Sequence, residues 1–264
     1  MITFDNLYNN SNMKEVARKG NITVFEHERD LSTTHLNSMN EYYASKMNIR
    51  KRQVLIELKN QSVTISAGAM QWVAGQVSMV ADVKGLKDFI GKTLSAGVTN
   101  ESAIKPRYEG IGHVMLEPTY KHILIEEVSE WGGLVLEDGL FLACDSAIKQ
   151  KISARSNISS ALLGGAGLFN LSLTGKGIAV LESPVPREEL ILVKLDKDEI
   201  KIDGKLAIAW SESLNFTVEK SSKKLISSAV SGEGFVNVYR GTGNLLLTPV
   251  DCSTAEPTPA PSPQ

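Results

Sequence analysis

The chain has 264 residues, 42% hydrophobic and 22% charged, with a net charge of −2 from 28 basic and 30 acidic side chains. That is the make-up of a globular protein, and it provides no field for drawing in nucleic acid or an anionic membrane. Two cysteines, Cys144 and Cys252, argue against a disulfide framework and fit a reducing cytoplasmic location.

The N-terminus, Met1-Ile2-Thr3-Phe4-Asp5, lacks the basic and apolar regions of a signal peptide. No window approaches the ~20 apolar residues of a membrane span. Residues 1 to about 20 are polar and Asn-rich, an edge piece or a poorly ordered one. Ile22-Thr23-Val24-Phe25 reads as a strand. Ser32-Thr33-Thr34 offers an N-cap for a helix over Leu36 to Met47, with Leu36, Met39, Tyr43 and Met47 at helical spacing. Such a face packs on the sheets or a neighbouring subunit, or docks a partner. Arg50-Lys51-Arg52 beside a strand reads as a solvated edge device against aggregation.

From there a unit of about 68 residues recurs three times. Each copy opens on an apolar run: Val54-Leu55-Ile56, Ile123-Leu124-Ile125 and Ile191-Leu192-Val193. Each then has a Gly leading into a further strand-like run, at Gly68, Gly139 and Gly204. Each closes on Gly-x-Gly and a last strand ending at Pro118, Pro184 or Pro249. Period-2 alternation, as in Asn170-Leu171-Ser172-Leu173-Thr174, marks strands with one buried face. Gly110-Ile111-Gly112, Gly175-Lys176-Gly177 and Gly241-Thr242-Gly243 lie between strand-like runs and read as hairpin turns. A phosphate-binding reading would need a third Gly and a following helix, and strands follow instead.

The organisation expected is a strand-and-helix extension over 1–50, β repeats over 51–118, 119–184 and 185–250, and a disordered Pro-rich tail over 251–264. Single units of this size bury too little surface alone, so the three should share a core. An insertion at 81–98 in the first repeat carries Val83, Leu86, Phe89, Ile90 and Leu94 at helix-like spacing, weakened by Gly. It would cap the β core or, with Lys84, Lys87 and Lys92, lie on a membrane surface.

The glycine motifs as a set resemble those of the altered inheritance of mitochondria protein 24 family. They are Gly164-Gly165-Ala166-Gly167-Leu168-Phe169 with Gly175-Lys176-Gly177, and Gly232-Glu233-Gly234-Phe235 with Gly241-Thr242-Gly243. Ser66-Ala67-Gly68-Ala69-Met70 and Asp203-Gly204-Lys205-Leu206-Ala207 join them. The resemblance covers roughly residues 50 to 250. The first copy departs from it, with Asn100-Glu101-Ser102 at the glycine position and Pro106 in its strand. The resemblance implies an all-β fold like that of the tryptophan RNA-binding attenuation protein: short double-stranded β-helix or sandwich units, pseudo-threefold within the chain, with one or two short helices. It further implies a homotrimer closing into a ring of pseudo-ninefold symmetry. RNA and tryptophan binding do not carry over with a fold.

No catalytic constellation is visible, no cofactor is implied, and no metal spacing links His27, His35, His113 and His122. Glu26-His27-Glu28 would hold a metal only with ligands from elsewhere. Ser146-Ala147-Ile148-Lys149 matches Ser-x-x-Lys without its supporting motifs. Glu126-Glu127 and Glu188-Glu189 are adjacent, and strand neighbours point to opposite faces. Trp72, Trp131 and Trp210 read first as core or interface anchors and second as a ligand platform. The expectation is a non-enzymatic scaffold or binding protein acting as a homo-oligomer. The alternatives are a small-molecule-binding or enzymatic β-sandwich with a site between repeats, and a peripheral membrane protein.

Overall fold

The computed structural model describes residues 2–80, 105–154, 169–220 and 235–252. The insertion at 81–98, the glycine-rich segments at 164–167 and 232–234, and the Pro-rich tail from 254 lie outside the described residues. The chain is all-β, and the described residues hold one α-helix in addition.

β1 (Met13–Lys19) and β2 (Ile22–His27) form an antiparallel hairpin, so the polar N-terminus supplies an edge strand. β2 lies along the first half of β3 (Arg52–Ile65), with Ile22 opposite Ile56. β4 (Met70–Val80) and β5 (Arg107–Leu116) follow, and β5 pairs with both β3 and β4. The next stretch runs through β6 (His122–Glu127), a 3-10 turn at Val128–Trp131, β7 (Leu134–Leu136), β8 (Phe141–Asp145), β9 (Lys149–Ala154), β10 (Phe169–Thr174) and β11 (Ile178–Ser183). β11 pairs with β6 and β8, while β10 pairs with β7 and β9. The last stretch has β12 (Ile191–Ile202), β13 (Ala207–Ser211), β14 (Asn215–Lys220) and β15 (Phe235–Leu247). β15 pairs with β12, β13 and β14.

Two curled sheets result. The first contains β1 to β6, β8 and β11; the second contains β7, β9, β10 and β12 to β15. The middle stretch crosses between them four times: at the 3-10 turn, at Glu137–Leu140, at Ser146–Ile148 and at Gly175–Gly177. It therefore ties the sheets together. A cluster around Leu134, Leu136, Phe141, Leu171 and Leu181 extends to Ile208, Ala209 and Leu246. A second cluster joins Val54, Ile56, Ile65 and Leu116 to Leu142, Ala143 and Val180. Cores thus cross from one stretch to the next, as small β units require.

Three sequence expectations change. The first is the glycine hairpins. Gly110 and Gly112 sit inside β5, and Gly241 and Gly243 sit inside β15. The third motif links β10 to β11, which lie in different sheets. The glycines are needed for close approach rather than for a hairpin: a Cβ at Gly110 would meet the Gln76 carbonyl, and one at Gly112 the Ala74 carbonyl. Both also have positive φ, +133° and +154°, which side chains rarely tolerate.

The second is helix α1 (Ser38–Lys46), which is shorter than its periodicity and buries no residue. Asn37 stands at its N-cap and makes no side-chain cap bond. Leu36, Met39, Tyr43 and Met47 are 62–79% exposed, so the apolar face does not pack on the sheets. Polar contacts hold the segment instead: Arg52 Nη2 donates to the Asn48 carbonyl (3.2 Å), and Tyr120 Oη donates to Glu41 (3.3 Å).

The third is the basic run. Arg52 is buried and pairs with Glu26 at 2.7 Å, which Arg50 also contacts at 2.8 Å. Lys51 pairs with Asp30. Two charges pointing inward are an anchor for β2 and α1, not a solvated edge.

Leu136 is fully buried in the cluster that spans the two sheets. Leu136→Ala should cost about 2–5 kcal/mol through lost contacts and a residual cavity. Urea unfolding checks this: the midpoint should fall while the slope stays the same.

Candidate functional site

The residues with chemistry in the sequence are mostly engaged elsewhere in the fold. Glu26 is taken by Arg50 and Arg52, His27 Nε2 meets Gln53 Oε1 at 2.9 Å, and Glu28 accepts from Lys14 at 2.6 Å. The three adjacent residues therefore face three different partners. Ser146 Oγ lies 3.2 Å from Thr64 Oγ1, and Lys149 is exposed, so the Ser-x-x-Lys match does not form a couple. His113 stacks edge-on against Phe4 with ring centroids 5.0 Å apart. His35 is exposed, and burial, then the Arg52 charge, pulls the His122 imidazole below its ordinary value. Among the described residues no three or more acidic, His or Cys side chains converge as a metal would need.

Trp131 and Trp210 are core residues. Trp131 Nε1 donates to Glu126 Oε2 at 3.2 Å inside the central cluster. Trp210 packs against Phe216 and Tyr239, with centroids 5.8 and 5.2 Å away. Trp72 is only half-buried, against Phe4 at 5.4 Å. Glu126 and Glu127 diverge as strand neighbours do: Glu126 is buried with Trp131 and Arg187 (3.1 Å), while Glu127 turns to the other side. Glu188 and Glu189 sit on an exposed 3-10 turn, not on a strand.

The second side of Glu127 faces a recess lined by charged and polar side chains. It is an open cleft of about 740 Å³ where the first stretch meets the second. Gly20, Lys59, Glu127, Asp145, Lys176 and Gly177 help to line it. The crossing from β10 to β11 builds its floor. Glu127 Oε1 accepts from the Gly177 N–H at 3.0 Å, and Asp145 Oδ2 accepts from the Ile178 N–H at 2.8 Å. These carboxylates satisfy backbone donors at a place where the chain leaves one sheet for the other. Burial raises the Asp145 carboxyl above its ordinary value; the Ile178 N–H opposes that and the Glu127 charge adds to it. Asp145 could not be singled out from sequence, because nothing near it announces the glycine bend whose N–H it caps.

Beside it, Cys144 is fully buried, and burial with the Asp145 charge pushes its thiol up to about 12. A thiol so high is a hydrophobe at neutral pH, not a nucleophile. On the surface, Arg240 joins Glu199 (2.7 Å) on β12 to Glu219 on β14, and it holds the Glu219 carboxyl down to about 2. Exposed pairs of this kind contribute little to stability.

The remaining open chemistry is backbone. Among the described residues β4 pairs only with β5, and β12 only with β15, so each leaves one edge without a partner. Met70–Val80 contains no charged residue and no proline. Natural edge strands normally carry such residues to block unwanted pairing.

Together these features define a class: an all-β protein of two curled sheets with unpaired strand edges. The chain belongs to the mitochondrial biogenesis AIM24 family, whose model matches residues 46–250. It is similar to the protein SPYM3_0169 from Streptococcus pyogenes, known from a crystal structure. The two are 25% identical with a TM-score of 0.56, over 78% of this chain and 90% of that one. No curated protein matches the chain.

Two outcomes are expected at the cleft. A thiol reagent at neutral pH should modify Cys252 in the folded protein and spare Cys144 until the protein is denatured; counting labelled thiols by mass checks it. The second concerns pH. Asp145 has a higher pKa folded than unfolded, so folding takes up a proton between those values and the contribution of this group to stability falls as pH rises from about 4. Asp145→Asn keeps an acceptor for Ile178 without the buried charge. Its melting temperature should exceed that of the unaltered protein at pH 7, and the gap should close below about pH 3, where both forms are neutral.

Proposed function

We propose that this protein is a non-enzymatic scaffold made of three tandem copies of one β unit, assembling with its own copies into a homotrimeric ring. The observation that carries this reading is the repetition of one pairing scheme. In each of the stretches 52–116, 122–183 and 191–247, the last strand pairs with both the first and the middle one. Each middle strand holds one extra residue opposite the last strand: Gln71, Leu142 and Ile208. Two backbone caps also match: the residue after the second Gly donates its N–H to Asp145 in the second stretch (Ile178, 2.8 Å) and to Ser211 in the third (Asn244, 3.0 Å).

A repeat that pairs with its neighbours leaves two unsatisfied ends, and the edges of β4 and β12 that have no partner among the described residues are taken as those ends. Contacts of unlike surfaces close into rings when the rotation permits. A cytoplasmic location goes with this reading, since neither cysteine is paired. A second reading, a small-ligand site between units, draws on the Glu127–Asp145 cleft.

Native mass spectrometry tests both. Three chains per particle are expected under gentle conditions, and a particle of one chain would end the ring reading. A mass excess lost on denaturation would support the ligand reading; its absence at stoichiometric level would count against it.

A further inference from the structure

The two junctions inside the chain are built to one register, and that register specifies how chains meet. At the first junction the end of β3 pairs with β8: Val63 opposite Asp145, Thr64 opposite Cys144, Ile65 opposite Ala143. At the second, β7 pairs with β13: Leu134 opposite Ser211, Val135 opposite Trp210, Leu136 opposite Ala209. The flanking hydrogen bonds coincide too. Ser66 N–H donates to the Leu142 carbonyl (2.7 Å), and Glu137 N–H to the Ile208 carbonyl (2.9 Å). On the other flank Ser146 N–H donates to Ser62 (3.1 Å) and Glu212 N–H to Gly133 (2.9 Å).

Each pairing thus joins the end of a first strand to the start of the next middle strand. Among the described residues two such segments lack a partner, the start of β4 and the end of β12. The pairing of last with middle strand aligns Trp72, Val73 and Ala74 with Ala143, Cys144 and Asp145, and with Ala209, Trp210 and Ser211. Counting along the first strand aligns Ile200, Lys201 and Ile202 with Val63, Thr64 and Ile65.

Resting on the ring reading, we infer that the occupant of the β4 edge is β12 of a second copy, antiparallel, with Ile200 opposite Ala74, Lys201 opposite Val73 and Ile202 opposite Trp72. The contact continues the internal junctions without a change of register. Burial supports it. Where a preceding unit exists, the apolar residues at these positions are sealed: Ala143, Cys144 and Ala209 are 0% exposed and Trp210 is 2%. In the first unit, which has none before it, Trp72 is half-buried and Val73 is 40% exposed.

The chemistry of the two edges is also complementary. β4 is an uncharged, apolar edge open to any strand. β12 carries Lys194, Lys197 and Lys201, and its ladder is interrupted between Leu195 and Asp198. Charge and irregularity of that kind keep β12 from pairing with itself or with arbitrary strands. Lys201 is the one polar residue among the six, and its aliphatic stem can lie over Val73 while its ammonium stays wet. Further along the strands, Met79 on β4 and Ile191 and Leu192 on β12 are 43–60% exposed, as is Ile111 on the neighbouring β5.

The hydrogen-bond alternation makes a sharp test. Ser66–Leu142 and Ser62–Ser146 are the bonded pairs, so Thr64–Cys144 is bonded and its neighbours are not. The inferred Ile200–Ala74 pair is then non-bonded, with Cα atoms about 4.5 Å apart, within disulfide reach. In a Cys252→Ser background, Ala74→Cys combined with Ile200→Cys should oxidise to a covalent species of three chains on a non-reducing gel. Ala74→Cys with Lys194→Cys, six positions out of register, should not.

Failure of the first pair to link while native mass still shows three chains would overturn the register and leave the ring reading standing. One chain per particle in the Cys252→Ser parent, without the added pair, would overturn both. A second variant guards against misfolding of the cysteine pair. Val73 occupies a bonded position, so Val73→Pro removes an outward donor from β4. It should release single folded chains, with the far-ultraviolet circular dichroism of the unaltered protein; a folded Val73→Pro trimer would overturn the inference.

Discussion

Every strand has two hydrogen-bonding edges, and a buried edge without a partner costs free energy that a small β protein cannot spare. In this chain the first, middle and last strands of each stretch solve that constraint in the same way. The last strand always lies between the other two, with both its edges occupied. The first strand is long enough to serve two neighbours in turn: β3 pairs with β2 and then with β8 along one side. The architecture follows from that division of edges. β2 fills the beginning of the side that β8 fills at its end, so the N-terminal hairpin and the second stretch share one strand as a common ledge.

The middle stretch bears the consequence. Its first, middle and last strands each break in two, because one half pairs in the first sheet and the other half in the second. Breaking a strand exposes backbone groups, and each crossing is patched locally. Trp131 and Val128 bury the 3-10 turn, and Glu127 and Asp145 take the N–H groups at the glycine crossing. The raised Asp145 carboxyl is therefore a by-product of topology. A donor had to be capped at a buried bend, and a carboxylate was the side chain available there. That origin also explains why a polar cleft lies at this junction.

The elements were legible in the sequence where local chemistry decides them. The apolar runs at Val54, Ile123 and Ile191 do begin or lie within first strands, and the alternating Asn170–Thr174 segment is a strand. The Gly-x-Gly motifs were legible as backbone specials but not as the right ones. Positive φ serves a hairpin and a close strand crossing equally, and the deciding carbonyls of Gln76 and Ala74 belong to a distant strand. The basic run misled for the same reason, since its acids, Glu26 and Asp30, come from before the helix. Periodicity placed the helix, but periodicity cannot tell a buried face from a bare one, and α1 is bare. Of the cleft, Glu127 was visible only as half of an acidic pair, and Asp145 was not visible at all.

Divergence among equivalent positions shows what each stretch does with the same geometry. The position that precedes the crossing of the last strand holds Ala74, Asp145 and Ser211 in turn. In the second and third stretches its side chain caps the N–H that follows the glycine pair, at 2.8 and 3.0 Å. In the first, β4 runs on unbroken beside β5, the ladder supplies the partner, and alanine suffices. A capping side chain is thus present where the strands part and absent where they continue. The same alanine leaves the β4 edge smooth and small at the point where another strand can approach. At the internal junctions Asp145 and Ser211 hold this position opposite Val63 and Leu134, so a polar side chain here is compatible with an approaching strand and answers to the crossing rather than to the edge.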